Sequence, residues 1–266
     1  MCGIGLYINC EACSTTVKCL DNRGPDTSTI HRHIDHNGSN LNIYSSVLSH
    51  QGAEITHQPI FSKSKDLILL WNGEVYDHPD FDHSTSDTVW LMNAIEKNGS
   101  SKRDIMQLLS QIRGEFAFLL INLKTDEIMF GRDRLGRRSL LFRMDTRSIS
   151  ITSVSPDHQF IELPADGIYI WKFDDYSHLT RIPYPADTTV DGHRLSYFAF
   201  RSSQMDDNVM LKDLLTCKEI YNDALHNVKV TDELILDDMD TSLWVLRQNA
   251  STPDMSYERY DTMLIA

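Results

Sequence analysis

A strand-like run begins almost at the first residue. Ile4–Asn9 alternates in the manner of a half-buried β-strand, which pins the start of the chain into a sheet instead of leaving it frayed. Any fold must therefore hold Met1-Cys2-Gly3 at the head of a sheet strand. Further strand-like segments follow at Thr27–Ile34, Leu41–Leu48 and Leu67–Trp71, with a strong turn at Arg23-Gly24-Pro25-Asp26. Ser84–Lys97 reads as a helix: Ser86 can cap it, Val89, Met92 and Ile95 form its apolar stripe, and Asn98-Gly99 stops it. A second helix, Arg103–Gln111, leads into the apolar run Phe116–Asn122, which reads as a buried strand. Short strands around Glu127–Phe130, Ser139–Phe142, Ser148–Ser153 and Gly167–Phe173 complete the pattern. Strands early and late with two helices grouped between them predict an α+β fold with antiparallel sheets rather than alternating βαβ units.

Near Asp174 the character changes. Pro183 and Pro185, then Asp187–Gly192, read as a linker, followed by one amphipathic helix, Asn208–His226, and an acidic stretch, Asp232–Asp240. The expected division is a domain at residues 1–175 and a linker with a partly helical tail at 176–266. The formal net charge of −13 argues against nucleic-acid or anionic-membrane partners, because phosphates are repelled. No apolar run approaches the roughly 18 residues of a membrane span, and the N-terminus has no basic leader before an apolar stretch. A cytosolic location with reduced thiols is expected. Five cysteines are too few and too uneven for a disulfide framework. Cys10 and Cys13 have the spacing of a zinc knuckle and precede His31, His33 and His36, but no second Cys-x-x-Cys pair completes a tetrahedral set. Cys10, Cys13 and Cys19 are expected to be small core or surface thiols, with no metal and no cofactor bound.

Chemistry concentrates elsewhere. Initiator methionine is normally removed before a small residue, which would leave Cys2 with a thiol and a free α-amine. That amine has an ordinary pKa of about 7.7–8.0, so the nucleophile carries its own base. Downstream come Trp71-Asn72-Gly73-Glu74-Val75-Tyr76 after a strand, Ser86-Asp87-Thr88 at the capped helix, and Gly131-Arg132-Asp133-Arg134-Leu135-Gly136-Arg137-Arg138-Ser139-Leu140-Leu141-Phe142 after a buried strand. Singly, each has an ordinary structural explanation: Asn-Gly makes hairpin turns, Ser-Asp caps helices, and Arg/Asp clusters are solvated knots. Together, in this order, they form a specific set.

The set resembles the class II glutamine amidotransferase domain of asparagine synthetases, and among these the asparagine synthetase domain-containing proteins. The resemblance runs from Cys2 to Phe173 and includes Leu163-Pro164-Ala165-Asp166-Gly167-Ile168-Tyr169-Ile170-Trp171. It implies the four-layer αββα sandwich of N-terminal-nucleophile hydrolases, L-glutamine as substrate, and a synthetase subunit or a second copy of the chain as partner. By the same resemblance Cys2 attacks the side-chain amide of glutamine. The Asn72 amide and the Gly73 N–H stabilise the oxyanion, Asp87 pairs with the α-ammonium, and Glu74, Gln51 and Arg23 belong to the substrate site. Arg23 and Asp26 are expected to position the loop near Cys2.

Two departures stand out. The family pattern has an arginine some twenty residues before Asn-Gly-Glu that pairs with the α-carboxylate, whereas Ser49–Pro59 contains none. Gln51 can donate a hydrogen bond there but carries no charge, and Glu54 would repel a carboxylate. A high KM for glutamine, or a domain kept for regulation or binding, is the expected consequence. In addition, Tyr176–Ala266 contains a single glycine, Gly192, so the glycine-rich phosphate loop of an ATP-dependent synthetase cannot be built there.

Overall fold

Leu67, Ile68, Leu69, Leu70 and Trp71 are consecutive and all buried, so their strand is covered on both faces. That requirement organises the molecule. The computed structural model describes residues 1–34, 38–49, 55–145, 147–156, 160–173, 178–184 and 229–232. One sheet contains β1 (Gly3–Ile8), β2 (Thr27–Ile34), β3 (Asn40–Val47), β8 (Leu141–Asp145), β9 (Ser148–Thr152) and β10 (Ile161–Glu162), in the order β10-β8-β9-β1-β3-β2. The second contains β4 (Ile60–Phe61), β5 (Leu67–Asp77), β6 (Arg113–Asn122), β7 (Glu127–Arg132), β11 (Gly167–Lys172), β12 (His178–Pro183) and β13 (Lys229–Asp232), in the order β13-β12-β11-β7-β6-β5-β4. The ladders within both sheets are antiparallel apart from β12–β13, which is parallel.

The inner faces meet in one apolar core. Ile4, Leu6, Ile8, Leu41 and Ile43 of the first sheet pack against Ile68, Leu70, Leu119, Ile121 and Phe130 of the second. On the outer side of the first sheet lies α1 (Ser14–Arg23), whose Leu20 packs on Tyr7 and Tyr44. Against the second sheet lies α2 (Asp87–Asn98), with α3 (Lys102–Gln111) beside it. The result is the expected four-layer αββα order, helix, sheet, sheet, helices. Edge strand β2 alternates half-buried and exposed residues along its whole length, as a strand with one open side should.

Three local differences from the sequence reading have physical causes. Helix α1 was not expected: its cap is Cys13, whose sulfur accepts the Thr16 N–H, and Thr15, Thr16 and Val17 weaken the helical signal. Asn72-Gly73-Glu74 does not follow a strand but lies inside β5, because the β5–β6 ladder continues through Gly73↔Phe116 and Glu74↔Glu115. Finally, β12 and β13, which extend the second sheet beyond residue 175, were not read as strands. The tail helix expected at Asn208–His226 lies outside the described residues.

Candidate active site

Cys2 sits at the head of β1, and its thiol points toward the Leu48 carbonyl at 3.9 Å. The strand start is fixed by the Gly3 N–H donating to Ser46 Oγ (3.2 Å) and the Ile4 N–H to Ser153 Oγ (3.0 Å). A Cβ on Gly3 would stand 2.4 Å from Ser46 Oγ and 2.7 Å from the Leu20 carbonyl oxygen, so the residue after the thiol has to be glycine. Burial pushes the Cys2 thiol above its ordinary range, while the neighbouring N-terminal ammonium pulls it back. The α-amine of Met1 is held below its ordinary value by partial burial, with Arg138 and Arg23 adding to the effect.

Cys2 opens onto a small cleft. Gly73, Glu74, Asp87, Gln58 and Arg138 share its wall. Strand β5 supplies the floor through its alternating backbone. The N–H and C=O of Phe116 are both taken by Asp133, whose Oδ2 accepts at 3.1 Å and whose N–H donates at 2.8 Å. Gly73, opposite Phe116, is therefore a non-hydrogen-bonded pair of the ladder, and its N–H points away from β6. Trp71, two residues earlier, shows the same polarity: its N–H donates to Gln58 Oε1 at 2.7 Å and its carbonyl accepts from Gln58 Nε2 at 2.9 Å. Gln58 thus serves as a side-chain strand partner where β4 stops short. A side chain at Gly73 is impossible, since its Cβ would lie 2.5 Å from the Glu115 carbonyl oxygen.

Asn72 projects to the opposite face of β5, into the space between the sheets. It is fully buried, and neither its amide nitrogen nor its amide oxygen has a partner. A buried polar group without a partner costs about 1–3 kcal/mol, so such an amide is rare without a use. Asn72 itself is not among the residues that line the cleft, although its neighbours Trp71 and Gly73 are.

Asp87 opens α2, where the helix N-terminus favours a negative group. Its carboxylate accepts the Trp71 indole N–H (3.1 Å), the Thr88 N–H (2.7 Å) and the Thr88 hydroxyl (3.2 Å). Burial nevertheless raises its pKa above the ordinary value, against the pull of these bonds. The structure therefore brings Cys2, Gly73, Glu74 and Asp87 to one cleft, whose lining does not include Asn72. Arg23 is not in the wall: its guanidinium donates to Ser139 Oγ (3.0 Å) and the Ser153 carbonyl (2.8 Å). Asp26 accepts the Ser49 N–H at 2.7 Å and so ties down the chain beyond β3. Gln51 lies outside the described residues. Gln58 and Arg138 were not picked out from sequence as site residues. Among the described residues no group of three His, Cys, Asp or Glu side chains gathers to hold a metal ion, and no helix is long and apolar enough to cross a membrane.

Residues 1–159 match the family model described as the glutamine amidotransferase domain. The chain belongs to that family. Its curated relatives include asparagine synthetase domain-containing protein 1 of Gallus gallus, 31% identical over 184 residues, which covers 64% of this chain and 29% of the relative. An asparagine synthetase domain-containing protein of Drosophila melanogaster is 28% identical over 196 residues, covering 69% of this chain and 34% of the relative. The chain thus spans about a third of the length of these relatives. Among solved structures, the glutamine phosphoribosylpyrophosphate amidotransferase from B. subtilis aligns with a TM-score of 0.53 at 18% identity, covering 70% of this chain and 50% of that one. That likeness is one of fold, and it is the N-terminal-nucleophile amidotransferase fold.

Proposed function

We propose that this glutamine amidotransferase domain hydrolyses the side-chain amide of glutamine through Cys2 and supplies ammonia for amide transfer, as in glutamine-dependent asparagine biosynthesis. With Met1 removed, the α-amine of Cys2 takes the thiol proton, and the thiolate attacks the amide carbon. Negative charge gathers on the former carbonyl oxygen, where the Asn72 amide and the outward-facing Gly73 N–H donate to it. Collapse expels ammonia, with the proton returned from the α-amine, and leaves a thioester at Cys2. Water attacks the thioester to release glutamate and restore the thiol. Asp87 receives the α-ammonium of the substrate, and Glu74 stands beside it in the wall.

The observation that carries this reading is the buried Asn72 amide with no partner on either atom, next to a glycine N–H aimed at the cleft that Cys2 lines. A folded protein keeps such an amide at a cost, and an oxyanion is the group that would offset it. The test is glutamine-dependent ammonia release from a chain shown by intact mass to have lost Met1, with Cys2→Ala as control. Retention of Met1 in active protein, or release that survives Cys2→Ala, sinks the mechanism. A second reading, a weakly active or inactive domain kept for binding, is favoured by the absence of arginine from residues 49–59. Under it, glutamine would bind without ammonia release.

A further inference from the structure

Resting on the glutaminase reading, we propose that Arg138 binds the α-carboxylate of the substrate amino acid. Free glutamine is a zwitterion, so a site that takes its ammonium at Asp87 must also meet a carboxylate in the same cleft. Residues 49–59 contain neither arginine nor lysine. Among the described residues that line the cleft, Arg138 is the one cationic side chain, against the two acidic side chains Glu74 and Asp87.

Its geometry suits the task. The Arg138 backbone is fixed at both ends: its N–H reaches Asp133 Oδ2 at 3.4 Å, and its carbonyl accepts Arg132 Nε at 2.6 Å. The side chain is only 14% exposed, and one nitrogen, Nη2, pairs with Glu115 at 2.5 Å. Nε is buried and has no partner. A guanidinium presents several donors in a rigid plane and can serve two carboxylates at once. A substrate carboxylate seated at Nε would share the group with Glu115 and satisfy the idle donor. Arg23 also leaves its Nε without a partner, but it does not line the cleft and is committed to Ser139 and Ser153.

The test uses Cys2 as its own reporter in the full chain with Met1 removed. Labelling by 6-diazo-5-oxo-norleucine, which has a free carboxylate, is compared with labelling by its methyl ester, which has none. The readout is the ratio of the two rates, because poor folding lowers both alike. The wild-type chain should prefer the free acid. Arg138→Gln should reduce that preference by about 10- to 100-fold, the usual range for a charge-assisted hydrogen bond. Arg138→Lys should keep part of it, and Glu115→Gln should keep it in full. An unchanged preference in Arg138→Gln, equal rates for both probes in wild type, or a loss in Glu115→Gln as large as in Arg138→Gln would overturn the assignment. If iodoacetamide alkylates wild-type Cys2 while neither diazo compound labels it, the glutaminase reading itself fails. Labelling by both compounds with an unmoved ratio in Arg138→Gln removes the Arg138 assignment alone.

Discussion

Asp133 and Asp87 are both buried carboxylates ringed by donors, yet they belong to regions built on different terms. Asp133 accepts the backbone N–H groups of Phe116, Leu135, Arg137 and Arg138. Beside it, Arg132 donates to the carbonyls of Arg138, Leu163 and Gly136 and pairs with Glu162 at 2.8 Å. In this loop, buried charge is spent on holding backbone in place. At and next to the cleft the reverse holds: Asn72 has no partner, Arg138 has an idle Nε, and Asp87 carries a raised pKa despite its hydrogen bonds. The hydrogen bonds of Asp133 and Arg132 are made within the fold, whereas Asn72 and the Arg138 Nε make none.

The contrast breaks first at Cys2. Cys2→Ala should abolish glutamine-dependent ammonia release while leaving the thermal midpoint where it was; release above background would remove the nucleophile. In the loop, Asp133→Ala should lower unfolding free energy in urea by about 3–5 kcal/mol, because several buried N–H groups lose their acceptor together. A loss under about 1 kcal/mol would show that the loop is held by something else. Asn72→Ala should cut kcat by about 10²–10³ without destabilising the chain, since the amide makes no bond in the resting fold. A stability loss as large as that of Asp133→Ala would place Asn72 with the loop instead.

The smallest effect is one of pH. Asp87 has a folded-state pKa above its ordinary value of 3.8, so between the two values the folded chain binds more protons than the unfolded one. Its contribution to stability is therefore full below 3.8 and is lost as pH rises through the raised value. Asp87→Asn should flatten that part of the stability profile and leave the neutral-pH midpoint equal to or above wild type, while raising KM for glutamine. A variant less stable than wild type at neutral pH would mean that the carboxylate serves the fold.

Much of this was legible in the chain. The strand at β1, the Ser86 cap of α2 and the apolar run of β6 follow from periodicity and capping rules that depend on neighbouring residues alone. Helix α1 was not legible, because a cysteine cap followed by Thr15, Thr16 and Val17 is a weak local signal rescued by packing on Tyr7 and Tyr44. Gln58 acts through Trp71, 13 residues away, as a substitute strand partner, and nothing in its immediate sequence announces that. Arg138 sits in an arginine-rich loop, where a charged side chain ordinarily faces water.

The sequence by itself determined that a thiol with its own amine could stand at the head of a sheet strand, while its resemblance to the amidotransferase family set Asn72, Gly73 and Asp87 beside it as expectations. The strand start and the capped helix were legible because they obey short-range rules. Only the tertiary structure decided which buried charges were already satisfied. Whether Arg132, Arg138, Asp133 or Asp87 has a donor or acceptor left over depends on carbonyls and N–H groups up to 31 residues away, brought together by the packing of two sheets.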